Sequence, residues 1–465
     1  MSPARRLLAS AAAAACVVTS AAAARANPLD VFGFGSRETA MGGAAAANVT
    51  GVPATYYNPA GVADAKGLSI QLGYFRASHA LAIDGVDNEV DPVKGFNGGL
   101  VVPGRLLDVP FGFGLGLHLP DDRISRVRAL RQEQPRWELY DNRNQRLYLA
   151  ANLALRPVRW LAVGAGYSFM SSTRGRLDIT GSANIFAVSQ SQVRHEVDAD
   201  LTAIRYPQAG VRVDLSDRVR LAAVYRDEFQ LRLDLAARLR GDISKLTTAL
   251  YELETHSVNN FLPRQVVGAG SWDVTDRVTA NLDLTWVQWS SFVAPVAELD
   301  VNLDIPPPPG GWPANITPPT TPAPIKTEPL RMRDRVVPHL GVEVAALRGP
   351  RVDAFARAGY EWAKSPFAAQ TGRANYVDAD RHTMSLGAGV VVRPGVPELP
   401  PEIHLDGHAQ LSVLPGRMMA KDSPADLVGD YRAGGHVWNV GTTLTLSWDV
   451  AIGRGAASAS AGRAR

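Results

Sequence analysis

The chain is poor in cysteine: Cys16 is the only one in 465 residues. Without further cysteines, the folded part can hold no internal disulfide framework and no thiol nucleophile. The sequence therefore excludes a disulfide-stapled secreted domain and a cysteine-dependent enzyme.

Long apolar runs are also lacking after the first 26 residues. A membrane-spanning helix needs about 20 consecutive, predominantly apolar residues, so the sequence excludes a helical membrane protein. It does not exclude a β-barrel, whose strands alternate apolar with polar residues and give a weak hydropathy signal. The net charge is +3 and both signs are spread along the chain, so we expect no nucleic-acid partner.

Each candidate catalytic or metal-binding motif lacks a required residue or a required spacing. Glu38 stands where a dinucleotide-binding motif would need its third glycine, and Ala199 stands where a zinc-protease motif starting at His195 would need its second histidine. On a strand, His404 and His408 would lie about 13 Å apart, too far to share a zinc ion bound at about 2.0–2.1 Å. The sequence predicts no enzyme, no cofactor and no metal site.

The first 26 residues have the pattern of a secretory signal peptide. Two arginines precede an apolar run from Leu7 to Val18, and Ala24–Ala26 form a small-x-small cleavage site. A lipoprotein signal at Cys16 is the poorer alternative, because signal-like sequence continues for about ten residues beyond it. We expect an exported protein whose folded part begins at Asn27.

Most of the chain after Lys66 alternates apolar with polar residues. From Val219 to Leu239, one set of alternate residues is apolar apart from Asp227, and the other set carries charges of both signs. Successive side chains of a strand point to opposite faces, so such a strand separates an apolar from a polar medium. The pattern predicts a single strand over this range.

Fourteen candidate strands share this alternation, and short turns between them alternate with long loops. The long loops are expected around 120–145, 181–199, 240–260, 293–332, 364–381 and 415–434. An even number of strands, with short turns at one end and long loops at the other, is the layout of an outer-membrane barrel. The strands are expected to begin near Leu68, Phe96, Val109, Arg146, Leu161, Asp200, Val219, Phe261, Val278, Arg333, Arg351, His382, Glu402 and His436.

The fold class predicted from this pattern is an all-β membrane protein, a 14-stranded antiparallel transmembrane β-barrel over residues 67–449. Trp438 and Trp448 lie ten residues apart on the apolar face of the last strand. A tilted strand needs about 9–11 residues to cross a membrane, so both rings fit the two interfaces. We expect a proline-rich loop at 306–329 over the barrel mouth and a disordered tail at 450–465.

The stretch from Gly33 to Gly61 departs from this pattern, being rich in glycine and alanine and nearly uncharged. It contains an Asn-Pro turn signal, and we place its turn at Asn58, Pro59 and Ala60. Two interpretations stay open: a flexible leader before the barrel, or a compact plug inside it. We expect the plug, a small helical and irregular unit over residues 27–66.

These features together resemble the long-chain fatty acid transporter family of outer-membrane proteins (FadL-like, OmpP1/FadL/TodX). The stretch from Ser36 to Gly61, with its Asn-Pro-Ala element, is similar to the family's hatch. Four further stretches resemble the family's middle strands and its eleventh and twelfth strands: Phe261–Gly270, Asp283–Phe292, Arg357–Pro366 and Asp378–Gly387.

The resemblance implies passive uptake of hydrophobic molecules, such as long-chain fatty acids or similar hydrocarbons. It further implies a hatch-occluded barrel with a lateral exit at an inward-kinked third strand. Pro110, Gly112, Gly114 and Gly116 are candidates for this kink, because proline and glycine weaken strand pairing. The alternative is that these glycines let the hatch approach the wall.

A second hypothesis is a non-transporting outer-membrane barrel that serves as a scaffold for a surface or secretion complex. The sequence Ala40–Ala44 also resembles secretion-associated barrels of similar build. The resemblance implies hydrophobic small molecules and outer-membrane lipid as partners. We expect a monomer located in the outer membrane of a Gram-negative bacterium.

Overall fold

The computed structural model describes residues 28–448, with gaps at 108, 123–134, 138, 141–146, 184–191, 244–246, 293–297, 312–320, 322–331, 368–374 and 422–427. The predicted signal peptide, the predicted tail and most of the proline-rich loop lie outside the described residues. Those three features stay predictions.

Fourteen strands in the described residues form the wall of the molecule. In chain order they are β1 Leu68–Ile83, β2 Val93–Leu106, β3 Val109–Pro120, β4 Tyr148–Val158, β5 Leu161–Ala183, β6 Gln192–Asp214, β7 Val219–Arg226, β8 Gln265–Thr275, β9 Val278–Val287, β10 Arg335–Arg348, β11 Val352–Ala363, β12 Arg381–Val392, β13 Glu402–Met419 and β14 Tyr431–Trp448. Each of the fourteen predicted strands overlaps one of them.

The wall closes on itself because β1 pairs with β14, from Leu68 opposite Trp448 to Ile83 opposite Ala433. Every strand runs antiparallel to its two neighbours. Closure leaves no strand edge facing lipid, where each unpaired backbone group costs several kcal/mol. The structure confirms the predicted 14-stranded antiparallel β-barrel.

The two faces of the wall differ as the alternation predicts. On β12, Leu386 is 65% exposed on the outer face, whereas the neighbouring Ser385 is 2% exposed inside. Short turns such as 158–161 and 275–278 lie at one end, which in this class of barrel is the periplasmic end. No helix among the described residues is long and apolar enough to cross a membrane.

Within the described ranges, six shorter or additional strands lie outside this ring: Val86–Asp87, Arg136–Trp137, Phe229–Ile243, Thr247–Leu262, Glu298–Asp304 and Tyr376–Val377. Phe229–Ile243 and Thr247–Leu262 form a hairpin on the side of the long loops. One edge of the hairpin pairs with the upper part of β5, and the other with Glu298–Asp304.

This hairpin corrects two expectations. The predicted single strand over 219–239 is wrong, because β7 ends at Arg226 and the chain turns at Asp227, which accepts hydrogen bonds from Tyr225 and Arg264. The predicted loop at 240–260 is wrong too, since most of it is the second strand of the hairpin. Alternation marks any strand with two unlike faces and cannot show where the membrane ends.

The N-terminal segment 28–65, which we call the hatch, lies inside the barrel. It contains helices α1 Pro28–Phe32, α2 Ser36–Ala40 and α3 Ala54–Tyr57 and the 3-10 helix Pro59–Asp64. Most of its described residues are buried, and only Thr50 among them is exposed. The interpretation as a flexible leader is therefore wrong, and the interpretation as a plug describes the structure.

The two faces of β14 give a direct test of the register. Leu444 is 40% exposed on the outer face between Trp438 and Trp448, while the adjacent Thr445 faces the polar periplasmic end of the lumen. Arginine on the lipid face near the midplane costs about 2–4 kcal/mol. We expect Leu444→Arg to lower the folded yield in bilayers strongly and Thr445→Arg to change it little. Equal folded yields would show that the register is wrong.

Candidate functional site

The residues of the predicted turn, Asn58, Pro59 and Ala60, lie buried in the hatch. Asn58 is fully buried; its Nδ2 donates to the Ala46 carbonyl oxygen at 2.7 Å, and its Oδ1 accepts from the Ala60 backbone N–H at 3.0 Å. Pro59 begins the 3-10 helix, where its fixed φ suits the first turn. The Asn58 side chain thus joins two parts of the hatch and starts its last helix.

Glycines of the wall make room for this turn. A Cβ added at Gly164 would lie 2.4 Å from the carbonyl carbon of Pro59, and one at Gly210 would lie 2.0 Å from Asn58 Oδ1. Real Cβ atoms do not approach so closely, so the hatch backbone rests on strands β5 and β6 only because these positions lack side chains.

The glycines of the third strand have the same role. Gly112, Gly114 and Gly116 face inward, where an added Cβ would lie within 3 Å of Val62 or Thr55 of the hatch. Pairing is unbroken from Val109 to Pro120 with β2 and from Phe111 to His118 with β4.

The structure therefore places Gly112, Gly114 and Gly116 in close packing with the hatch, as the alternative interpretation has it. Pro110 lies near the periplasmic start of β3, opposite Arg105. The ladder shows no register shift at these residues, and a lateral opening there stays a prediction.

An ion-pair network fastens the hatch to the wall near its periplasmic end. Arg37 of α2 makes two hydrogen bonds of 2.9 Å to the Glu343 carboxylate. Arg357 donates to Glu343 and to Asp406, each at 2.6 Å. The four charges alternate in sign, so each compensates its neighbour in a region of restricted water. Burial raises the pKa of the nearby Glu38.

A second network lies where the hatch joins β1. The Asp64 carboxylate, at the end of the 3-10 helix, pairs with Arg156 at 2.6 Å and also with Arg212. Both arginines pair with Asp214, at 2.8 and 3.1 Å. This cluster fixes the C-terminal end of the hatch as the first network fixes α2.

Polar side chains of the wall supply most of the remaining contacts with the hatch backbone. Asp283 Oδ2 accepts from the backbone N–H groups of Ala45 and Ala46 at 3.0 and 2.9 Å. Gln208 Nε2 donates to the Thr55 carbonyl oxygen at 2.7 Å. Sequence reasoning did not single out these residues, although each is a polar residue at an inward position of its strand.

The two histidines considered as metal ligands lie on the inner face of β13, and each has a different partner. His408 Nδ1 lies 3.0 Å from Ser36 Oγ of the hatch, and His404 Nε2 lies 3.5 Å from Glu402. No group of three acidic, histidine or cysteine side chains suited to a metal ion occurs in the described part of the chain.

A cavity of about 140 Å³ lies between the hatch and the end of the barrel that carries the long loops. Hatch, wall and loop residues all contribute to its surface. Its apolar and aromatic lining includes Leu29, Tyr56, Tyr57, Leu139, Tyr140, Val267, Val287, Trp289 and Val337.

Several charged groups of this cavity have polar partners or a shifted pKa. Arg226 donates to the carbonyl oxygens of Tyr56 and Tyr57 at 3.1 and 3.2 Å and covers the Tyr56 ring at 4.7 Å. Arg381 pairs with Glu361. Burial raises the pKa of Asp378 to about 7, so this acid is partly uncharged at neutral pH. The cavity thus offers a mainly apolar surface with compensated polar groups.

A larger cavity of about 900 Å³ lies on the periplasmic side of the hatch. It is lined by the Arg37 network, by Asp64 and by polar residues of the wall such as Thr445. The hatch thus separates a mainly apolar space from a charged one.

Comparisons with known proteins agree with this architecture. The model of the family described as "Outer membrane protein transport protein (OMPP1/FadL/TodX)" matches residues 12–397. A crystal structure of a FadL homologue from Pseudomonas aeruginosa is 15% identical, covers 89% of this chain and 98% of its own, and has a TM-score of 0.55. The Ralstonia pickettii toluene transporter TbuX is 16% identical with a TM-score of 0.48, covering 89% of this chain and 98% of its own. No curated protein matches the sequence.

A substitution at Gly164 tests whether the wall holds the turn of the hatch in place. We expect Gly164→Ala to displace the turn, because overpacking against backbone costs about 1–3 kcal/mol and the barrel ladder is the stiffer partner. Ion leakage through single molecules in planar bilayers should rise. The control is Gly268→Ala, since no atom lies within 4 Å of a Cβ there. Wild-type leakage in both variants would contradict the proposed seat.

Proposed function

Because this chain belongs to the OMPP1/FadL/TodX family of outer-membrane transport proteins, we propose that it is a channel for passive uptake of small hydrophobic molecules. The observation that carries the proposal is the hatch-closed barrel with a mainly apolar cavity on the side of the long loops. Such a barrel blocks free diffusion of ions yet offers an apolar ligand a place to leave water.

The size of the cavity favours one class of ligand. Its volume is about 140 Å³, similar to the roughly 150 Å³ of an engineered apolar protein cavity that binds benzene. A single aromatic ring fits this space, whereas the extended chain of a long-chain fatty acid does not. We infer that the closed state accepts monoaromatic or comparably small hydrocarbons.

The route out of the cavity follows from the charges beyond the hatch. An apolar ligand that moved straight down would enter the periplasmic cavity, where the charged groups of the Arg37 and Asp64 networks form much of the lining. We therefore keep the lateral exit near Pro110, Gly112, Gly114 and Gly116 as part of the proposal. It requires the hatch to withdraw from β3.

The cavity also favours transport over a scaffold function. A scaffold needs an outer surface for its partner and no ligand-sized space behind the loops. The alternative of a non-transporting barrel predicts that filling the cavity has no effect on any activity.

Filling the cavity tests the proposal. Val337 lines the cavity and is 9% exposed, while the neighbouring Val336 faces lipid and is 55% exposed. Cells carrying the protein in a lipopolysaccharide-containing outer membrane should take up radiolabelled toluene, and Val337→Phe should lower the rate about tenfold because the added ring occupies the site. Val336→Phe should leave the rate unchanged. No uptake by the wild type, or equal uptake by the two variants, would contradict the proposal.

A further inference from the structure

The roof of the apolar cavity is formed by Arg136, Trp137, Leu139 and Tyr140, which lie in the loop between β3 and β4. Within it, Arg136–Trp137 pairs in parallel with Tyr376–Val377 from the loop between β11 and β12. The Arg136 backbone N–H also donates to the Asn375 carbonyl oxygen at 3.2 Å. Leu139 and Tyr140 follow directly and line the cavity. The roof is therefore held against a second loop.

That second loop is fastened to the barrel rim. Arg417 of β13 donates to Ser365 Oγ and to the Phe367 carbonyl oxygen, each at 3.1 Å. Arg335 of β10 donates to the Ser365 carbonyl oxygen at 3.0 Å. Two arginines of the wall thus position the loop that carries Tyr376–Val377, which makes it the fixed side of the contact.

Aromatic side chains pack at the contact between the roof and the second loop. Trp137 is fully buried, with its ring 6.2 Å from Tyr140, and the Arg136 guanidinium lies 5.0 Å from the ring centre of Tyr376. Tyr140 in turn lies 5.9 Å from the His79 ring of β1. This packing buries Trp137 and Tyr140, while Leu139 is half-buried.

Among the described residues, the wall around the cavity has no site that could open as easily as the roof. The strands beside it, β8 to β12, are joined by ladders of eight or more residue pairs. The roof has a ladder of two pairs, Arg136 with Tyr376 and Trp137 with Val377. Short units with few backbone hydrogen bonds open locally at far lower cost than a continuous sheet.

We propose that Arg136, Trp137, Leu139 and Tyr140 form the access gate of the cavity, closed by docking of Arg136–Trp137 on Tyr376–Val377. The gate rests on the uptake function proposed above. A hydrophobic molecule reaches the cavity when the two segments separate, and the gate closes over it when Trp137 returns to its site. Lids of this kind commonly set the rate at which a ligand enters and leaves.

A disulfide across the ladder tests the gate, because the described residues contain no cysteine. The variant is Trp137→Cys with Val377→Cys, which are direct partners in the ladder. Toluene uptake by cells is measured after oxidation and again after dithiothreitol. Loss of the Trp137 ring should make the reduced variant faster than wild type, and oxidation should lower its rate about tenfold or more.

The matched control is Ala165→Cys with Ala209→Cys, which are partners on the outer faces of β5 and β6 away from the roof. Its uptake should be the same before and after reduction. Equal rates for the oxidised and reduced roof variant would overturn the gate and leave the uptake function standing. Failure of the disulfide to form would overturn the gate as well, since the two segments would not be docked. If toluene enters neither wild-type nor reduced-variant cells, the uptake function itself fails, and the gate with it.

Discussion

The structure depends on one constraint: polar groups that point into a closed barrel are costly unless they find hydrogen-bond partners there. Closure pairs the backbone N–H and C=O groups of the wall, but it also points the polar side chains of the strands into the lumen. The hatch provides the partners, as the Asp283 contact with two backbone N–H groups and the Arg37 contact with Glu343 show. An unpaired buried polar group costs about 1–3 kcal/mol, so hatch and wall each stabilise the other.

Small residues in the hatch and in the wall let the two approach closely enough to form these hydrogen bonds. The hatch brings its backbone against the wall at Gly164 and Gly210, where any side chain would collide with Pro59 or Asn58. The alanines from Ala44 to Ala47 are buried in the same way. The glycine- and alanine-rich composition that allowed an interpretation as a flexible leader is thus required for close packing.

The sequence predicts the barrel well because alternation is a local property. The alternation in β14 fixes which residues face lipid, and the Asn-Pro signal marks the turn of the hatch. The same locality explains the errors. The alternation continues from β7 into Phe229–Ile243 although that strand lies outside the ring. Proline and glycine in β3 leave two interpretations open when read alone; contacts with Val62 and Thr55 account for the glycines, and the lateral opening stays a prediction. The contact of Arg37 with Glu343 spans 306 positions, and no local pattern indicates such a pair.

The central claim is that the hatch closes the barrel, and deletion of residues 33–61 tests it most directly. The deletion removes no strand, so the barrel should still fold, as circular dichroism would show. Reconstituted in planar bilayers, the wild-type protein should conduct almost no ions, and the deletion variant should form a steady ion-conducting pore. A folded deletion variant with conductance as low as that of the wild type would contradict the account.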